Sequence, residues 1–191
     1  MNVLRAIAIG MSVVCFSGNA GSAQIEGVHF PDTLTAGDTQ LRLHGTGLLR
    51  YRVFIKGYVA ALYLADSFDE KATPTTVLAD VPRRLEIEYF WAIPAAGFAE
   101  ATVDGIVQNT DRETFEILRD RIERLNALYE DVEPGDRYAL TYVPGAGTEL
   151  SRNGRSLGVI EGEDFSSALF SIWLGERAID DSLRRQLLAG G

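Results

Sequence analysis

The segment from Phe165 to Leu188, FSSALFSIWLGERAIDDSLRRQLL, constrains the fold most, because it is written as two helices with a stop between them. Phe165, Ala168, Leu169, Ile172 and Trp173 recur at helical spacing and form one apolar stripe, with Ser167 and Ser171 beside it. Gly175 ends that helix, and Asp180 or Asp181 is placed to cap the next. A helix pair of this kind docks its stripe on another apolar layer.

That layer reads as a sheet. Leu85, Ile87, Tyr89 and Trp91 alternate with Glu86, Glu88 and Phe90, the pattern of a half-buried strand whose glutamates face water. Tyr51 to Leu64 is rich in β-branched and aromatic residues, with Gly57 as a bulge or bend inside it. Arg137–Val143 is a strand, and Glu149–Arg152 and Arg155–Ile160 flank Asn153-Gly154, a strong hairpin signal. Shorter strands are expected around Val28–Phe30 and Gln40–His44, the second broken by Gly45-Thr46-Gly47. Helices lie between the strands. Pro74 opens a short one through Leu78, and Pro94 opens a longer one through about Gln108. Asn109-Thr110-Asp111 interrupts that helix and recaps another, on which Phe115, Leu118, Ile122, Leu125 and Tyr129 make the apolar face. Arg119–Glu123 and Asp120–Arg124 are spaced to pair on its wet face, and Pro134-Gly135 ends it. The order predicts an α+β fold: one mostly antiparallel sheet with helices collected on one face.

Residues 1–23 read as a cleavable signal peptide and 24–191 as one domain. Arg5 supplies the positive start, Ala6 to Phe16 the apolar stretch, and Gly21-Ser22-Ala23 the small residues before cleavage. The stretch is well short of the ~20 residues a membrane span needs, and no other segment of the mature chain is a candidate span. Export, to the periplasm, is the expectation. Val14 is too bulky for a lipoprotein signal at Cys15, so the chain's one cysteine leaves with the leader, and disulfides and cysteine catalysis go with it. Removing Arg5 from the 18 Lys and Arg leaves 17 against 27 Asp and Glu, a net charge of −10. Nucleic acid and anionic lipid surfaces both need a basic face, so neither is an expected partner; a protein partner is not identified.

Candidate chemistry is sparse. His29 and His44 have no ligand-spaced Cys, Asp or Glu, so no metal is expected. Glu161, Glu163 and Asp164 lack the calcium-loop pattern and precede a helix, where negative charge is favoured anyway. No GxSxG or phosphate loop occurs, and no cofactor is expected. One set stands out. Arg50, Arg52, Lys56 and Tyr58 share parity, so on an unbulged strand they face one side, where two arginines can fork a carboxylate. A solvated sheet face is the alternative.

Two strings carry a family resemblance. Phe165–Leu188, with its serine–serine–alanine helix running into an apolar–Gly–Glu turn, resembles the C-terminal part of the chalcone isomerase fold. FIKGYVAALYL (Phe54–Leu64) resembles that fold's strand pair beside the ligand cleft. The resemblance implies a large curved sheet under a helical layer, with a cleft between them. It also implies a cleft arginine just before the second string, at Arg50 or failing that Arg52. The family's strand threonine falls at Tyr58, its helix tyrosine at Phe98, its asparagine near Gly105 unless Asn109 substitutes, and its C-terminal threonine at Ser171.

Ring closure of a chalcone needs donors for a developing enolate, and Phe98 donates none; loss of one such donor typically costs ~3–4 kcal/mol. The resemblance therefore implies a non-catalytic relative that binds a fatty acid or similar apolar carboxylate. In that reading Arg50 meets the head group, Tyr58 and Ser171 lie nearby, and Phe98 touches the tail. An isomerase or intramolecular lyase acting on a chalcone-like carbonyl, and an envelope interaction module with a closed cleft, are the alternatives.

Overall fold

The computed structural model describes residues 21–51, 55–69 and 71–190. Most of the leader, Cys15 and Arg52 lie outside these residues; Ser22 and Ala23, at the expected cleavage point, lie in the first strand. The strands are β1 (Ser22–Ile25), β2 (Val28–Pro31), β3 (Thr33–Ala36), β4 (Thr39–Tyr51), β5 (Ile55–Ala65), β6 (Arg83–Tyr89), β7 (Arg137–Val143), β8 (Gly147–Arg152) and β9 (Arg155–Ile160). The helices are α1 (Pro74–Val77), α2 (Ala95–Asn109), α3 (Arg112–Asn126), α4 (Glu163–Leu174) and α5 (Asp181–Leu188). Strands β3 to β9 form a curled antiparallel meander in chain order, and β1–β2 is a separate hairpin. The α+β class and its helical layer are as the sequence predicts.

β5 is buried on both faces, which explains its nearly unbroken apolar run. Tyr58, Ala60, Leu62 and Leu64 join Leu85, Ile87 and Tyr89 of β6 in the core under the helices. Val59, Ala61 and Tyr63 face the other way, into a second core with Val28 and Phe30 of the β1–β2 hairpin. That hairpin changes the fate of the β6 glutamates. Glu86 is not on a wet face: it is 5 % exposed. It accepts from Arg84 at 2.7 Å and from Arg137 at 3.1 Å, while the Arg137 guanidinium lies 4.7 Å over the Phe30 ring.

Local signals hold where the cause is local. Asn153 (φ 49°) and Gly154 (φ 80°) make the β8–β9 turn. Asp111 caps α3 by accepting from Thr114 N at 2.7 Å, and Asp180 caps α5 by accepting from Leu183 N at 2.6 Å. Three further expectations need correction. Gly45 and Gly47 do not break β4; the strand runs through them, because α5 lies against the strand there. A Cβ at Gly45 would stand 2.4 Å from Leu187 O, and one at Gly47 2.7 Å from Leu183 Cδ1. Trp91 lies beyond the end of β6, 58 % exposed, with its indole N–H on Lys56 O at 2.7 Å. On α3, Arg119 pairs with Glu116, while Arg121 and Arg124 reach out of the helix to Asp164 and Glu161. Those arginines neutralise the acidic start of α4.

The helical layer is anchored by a buried cation. Arg83, fully buried at the start of β6, donates to Ala79 O at 2.6 Å, Val81 O at 3.2 Å and Ser166 Oγ at 2.7 Å. Its guanidinium lies 4.7 Å from the ring centres of both Tyr142 and Phe170. Burial lowers its pKa to about 10.

Candidate functional site

Where the sheet curls away from α2 and α4, the layers leave a hollow of about 220 Å³. Its floor is Tyr58, Leu85, Ile87, Tyr89, Tyr138 and Leu140 from β5, β6 and β7. Its roof includes Phe98 and Thr102 of α2, Ile172 and Trp173 of α4, and Tyr129 beyond α3. Ala101 and Ile179 line it too and are exposed, so it reaches the surface between α2 and the α4–α5 loop. The space exceeds the ~150 Å³ apolar cavity that stays dry and admits benzene. The gap persists because the roof helices pack on one another beside it: a Cβ at Gly105 of α2 would meet Ile172 Cγ1 of α4 at 2.7 Å.

The walls are aromatic, and their side-chain polarity comes from hydroxyls and the Trp173 indole N–H. Phe98 sits at the centre, 5.2 Å from the Tyr89 ring, 5.1 Å from Tyr138 and stacked on Tyr129 at 5.4 Å. The Tyr58 oxygen accepts from Trp173 Nε1 at 3.0 Å. Thr102 Oγ1 and the Tyr129 hydroxyl share a hydrogen bond of 2.9 Å, and Tyr138 donates to Glu130 O at 2.7 Å. Burial pushes the phenols of Tyr58 and Tyr89 well up, and that of Tyr129 to about 12. All three stay protonated at neutral pH. Among the described residues, nothing lining the hollow carries a charge. The wall can therefore enclose an apolar body and offer hydroxyl hydrogen bonds to one polar end.

The chalcone isomerase-like family model matches residues 22–189. The chain belongs to that family. This chalcone isomerase-like chain is also similar in structure to a crystallised fatty-acid binding protein of Arabidopsis thaliana, with a TM-score of 0.67 and 15 % identity over 88 % of this chain and 96 % of that one. At that identity the likeness concerns the fold. None of the curated proteins compared matches the chain.

Of the site residues that the chalcone isomerase-like resemblance implies, the structure brings Tyr58 and Phe98 to the hollow. Arg50 is elsewhere. Its side chain is half exposed, 3.7 Å from Glu26 in the β1–β2 turn, on the sheet face opposite the helices. The reason is a bulge: Leu49 pairs with Tyr58 and Arg50 with Lys56, so Gly57 is the extra residue. Adjacent residues on β4 face opposite ways, so Lys56 and Tyr58 do too, and the shared parity of the four polar groups is lost.

Ser171 also misses the hollow. It is buried and donates to Ala168 O of its own helix at 2.6 Å. Asn109 does not replace the family's asparagine there; its amide donates to Gly105 O and Arg177 O, each at 3.0 Å, tying α2 to the loop after α4. The residues that sequence reasoning missed as site residues are Tyr89, Thr102, Tyr129, Tyr138 and Trp173. Tyr89, Tyr129 and Trp173 were legible as members of apolar stripes, and the hydroxyls carried on such stripes were the available signal.

Proposed function

We propose that this protein is an exported, non-catalytic member of its family that holds a single-chain amphiphile of the fatty-acid class between sheet and helices. The observation that carries the reading is the hollow itself: aromatic and apolar walls that include the phenols of Tyr58, Tyr89 and Tyr129. A space of this kind favours ligand holding over a module whose cleft has closed. The fold shared with a fatty-acid binding protein supports the same reading. Against isomerase chemistry stand Phe98, which has no proton to give an enolate, and phenols whose pKa values are raised rather than brought near neutrality.

The test uses protein purified from the cell envelope. Native mass spectrometry is expected to show a co-purified amphiphile, and delipidated protein to take up dodecanoic acid at one site. Ala101→Phe, which fills the mouth of the hollow from an exposed position, is expected to abolish uptake without unfolding the protein. Unchanged uptake in that variant, or turnover of a chalcone by the wild type, defeats the reading. N-terminal sequencing of the purified protein tests export, with a start at Gln24 expected.

A further inference from the structure

We infer that the hollow takes its ligand with an uncharged, oxygen-bearing head group: a protonated fatty acid or a long-chain alcohol, rather than a carboxylate ion. The inference rests on the holding role proposed above and narrows its ligand.

The polar groups that line the hollow are all uncharged among the described residues. They are Tyr58 of β5, Tyr89 of β6, Tyr138 of β7, Thr102 of α2, Tyr129 beyond α3 and Trp173 of α4. The charges nearby do not favour an anion. Asp180, held at the start of α5 by its bond to Leu183 N, follows Ile179 of the lining in the chain, and it is negative. On the far side of Tyr138, Arg152 is committed to Glu130 and Asp136, at 2.9 and 2.6 Å. Arg50 is paired with Glu26 across the sheet. A carboxylate ion in the hollow would be desolvated near Asp180 with no counter-ion among the described residues, which is the costly arrangement for a buried charge.

A neutral head fits the hydroxyls. The Tyr58 oxygen already accepts from Trp173, which leaves its own proton to give. Tyr89 is 5 % exposed, and burial and neighbouring phenols, rather than a hydrogen bond, set its titration. Among the described residues no hydrogen-bond partner holds its hydroxyl, which can give or accept. A carbonyl oxygen accepts from both phenols, and an alcohol or protonated acid can also donate to one of them.

The experiment is calorimetric titration of the delipidated protein with dodecanoic acid and with dodecanol, at about pH 5 and about pH 8, in the wild type and in Arg52→Ala. Dodecanol is expected to bind equally at both pH values. Dodecanoic acid is expected to weaken several hundredfold between them, following its neutral fraction for a carboxyl pKa of about 4–5. The carbon NMR signal of carboxyl-labelled dodecanoic acid is expected to stay at the protonated position when bound. Tyr58→Phe with Tyr89→Phe is expected to weaken both ligands roughly tenfold. Equal dodecanoate affinity at both pH values, an ionised carboxyl signal, or loss of dodecanoate binding in Arg52→Ala alone would overturn the inference and leave the holding role standing. Failure of both ligands at both pH values would remove the holding role and this inference with it.

Discussion

The indole N–H of Trp173 donates to the phenolic oxygen of Tyr58 across 3.0 Å, tying α4 to β5 at the wall of the hollow. It joins the roof to the floor where the two layers otherwise stand apart. Trp173→Phe is expected to lower unfolding free energy by about 1–2 kcal/mol, since it leaves a buried hydroxyl without its donor. The change has a second readout. The chain has two tryptophans, and Trp91 is 58 % exposed, away from the hollow. Ligand-dependent tryptophan fluorescence should therefore come from Trp173 and vanish in the variant, while persisting in Trp91→Phe.

Arg50→Ala separates the resemblance from the geometry. A cleft arginine clamping a head group would lose more than tenfold in affinity. The observed Arg50 is 51 % exposed in a pair with Glu26, and such pairs contribute about 0–1 kcal/mol. Titration with dodecanoic acid is expected to show less than a twofold change, with stability moved by under about 0.5 kcal/mol.

The misplaced arginine shows what a sequence yields and what it withholds. Tyr58 and Phe98 could be placed beside the hollow because strand and helix positions carry across a fold in register. Arg50 could not, because one bulged residue at Gly57 reverses which way its neighbours point, and parity counting assumes an unbroken pleat. Arg137–Val143 and the Asn153-Gly154 hairpin were legible residue by residue, since alternation and turn chemistry act within a few residues. Gly45 and Gly47 were misread as a break because their cause, the carbonyl of Leu187 and the side chain of Leu183, lies at the far end of the chain. The hollow itself was legible only through the resemblance, because a gap between layers leaves no pattern along one segment.

Those two glycines give a graded prediction. In Gly45→Ala the new methyl group meets backbone, Leu187 O at 2.4 Å and Gln186 O at 2.8 Å, so α5 must move off the sheet. In Gly47→Ala it meets the Leu183 side chain at 2.7 Å, which can rotate. Chemical denaturation is expected to show a loss of about 2–3 kcal/mol for Gly45→Ala and about half that for Gly47→Ala. Faster hydrogen exchange in α5 should accompany the first.

Arg83 should tolerate no truncation. Its three donated bonds satisfy two backbone carbonyls and the Ser166 hydroxyl in a fully buried place. Arg83→Ala leaves those acceptors unpaired and opens a cavity between Tyr142 and Phe170, for an expected loss of about 4 kcal/mol or more. Arg83→Lys should recover less than half, because an ammonium lacks the flat fork that fits between two rings. Urea denaturation of the pair of variants gives both numbers.

Alkaline stability sets the phenols against this guanidinium. Tyr58, Tyr89 and Tyr129 have native pKa values raised above the unfolded value of about 10, chiefly by burial, with Tyr129 at about 12. A group raised in this way contributes stability that is complete below pH 10 and is lost as pH climbs through its native value. Arg83 works in the opposite sense: burial lowers its pKa from the ordinary arginine range to about 10 on folding, so its contribution grows as pH climbs above 10. Several phenols oppose one guanidinium, and Tyr63 and Tyr142 join the phenols' side. Stability should therefore fall as pH rises from 10 towards 12. Tyrosinate absorbance is expected to rise in one steep step together with loss of circular dichroism, because the buried phenols ionise only when the chain opens. Tyr58→Phe with Tyr89→Phe should make that step shallower. A smooth titration centred near 10 with the fold intact would mean that water enters the hollow freely, and a water-excluding site would have to be abandoned.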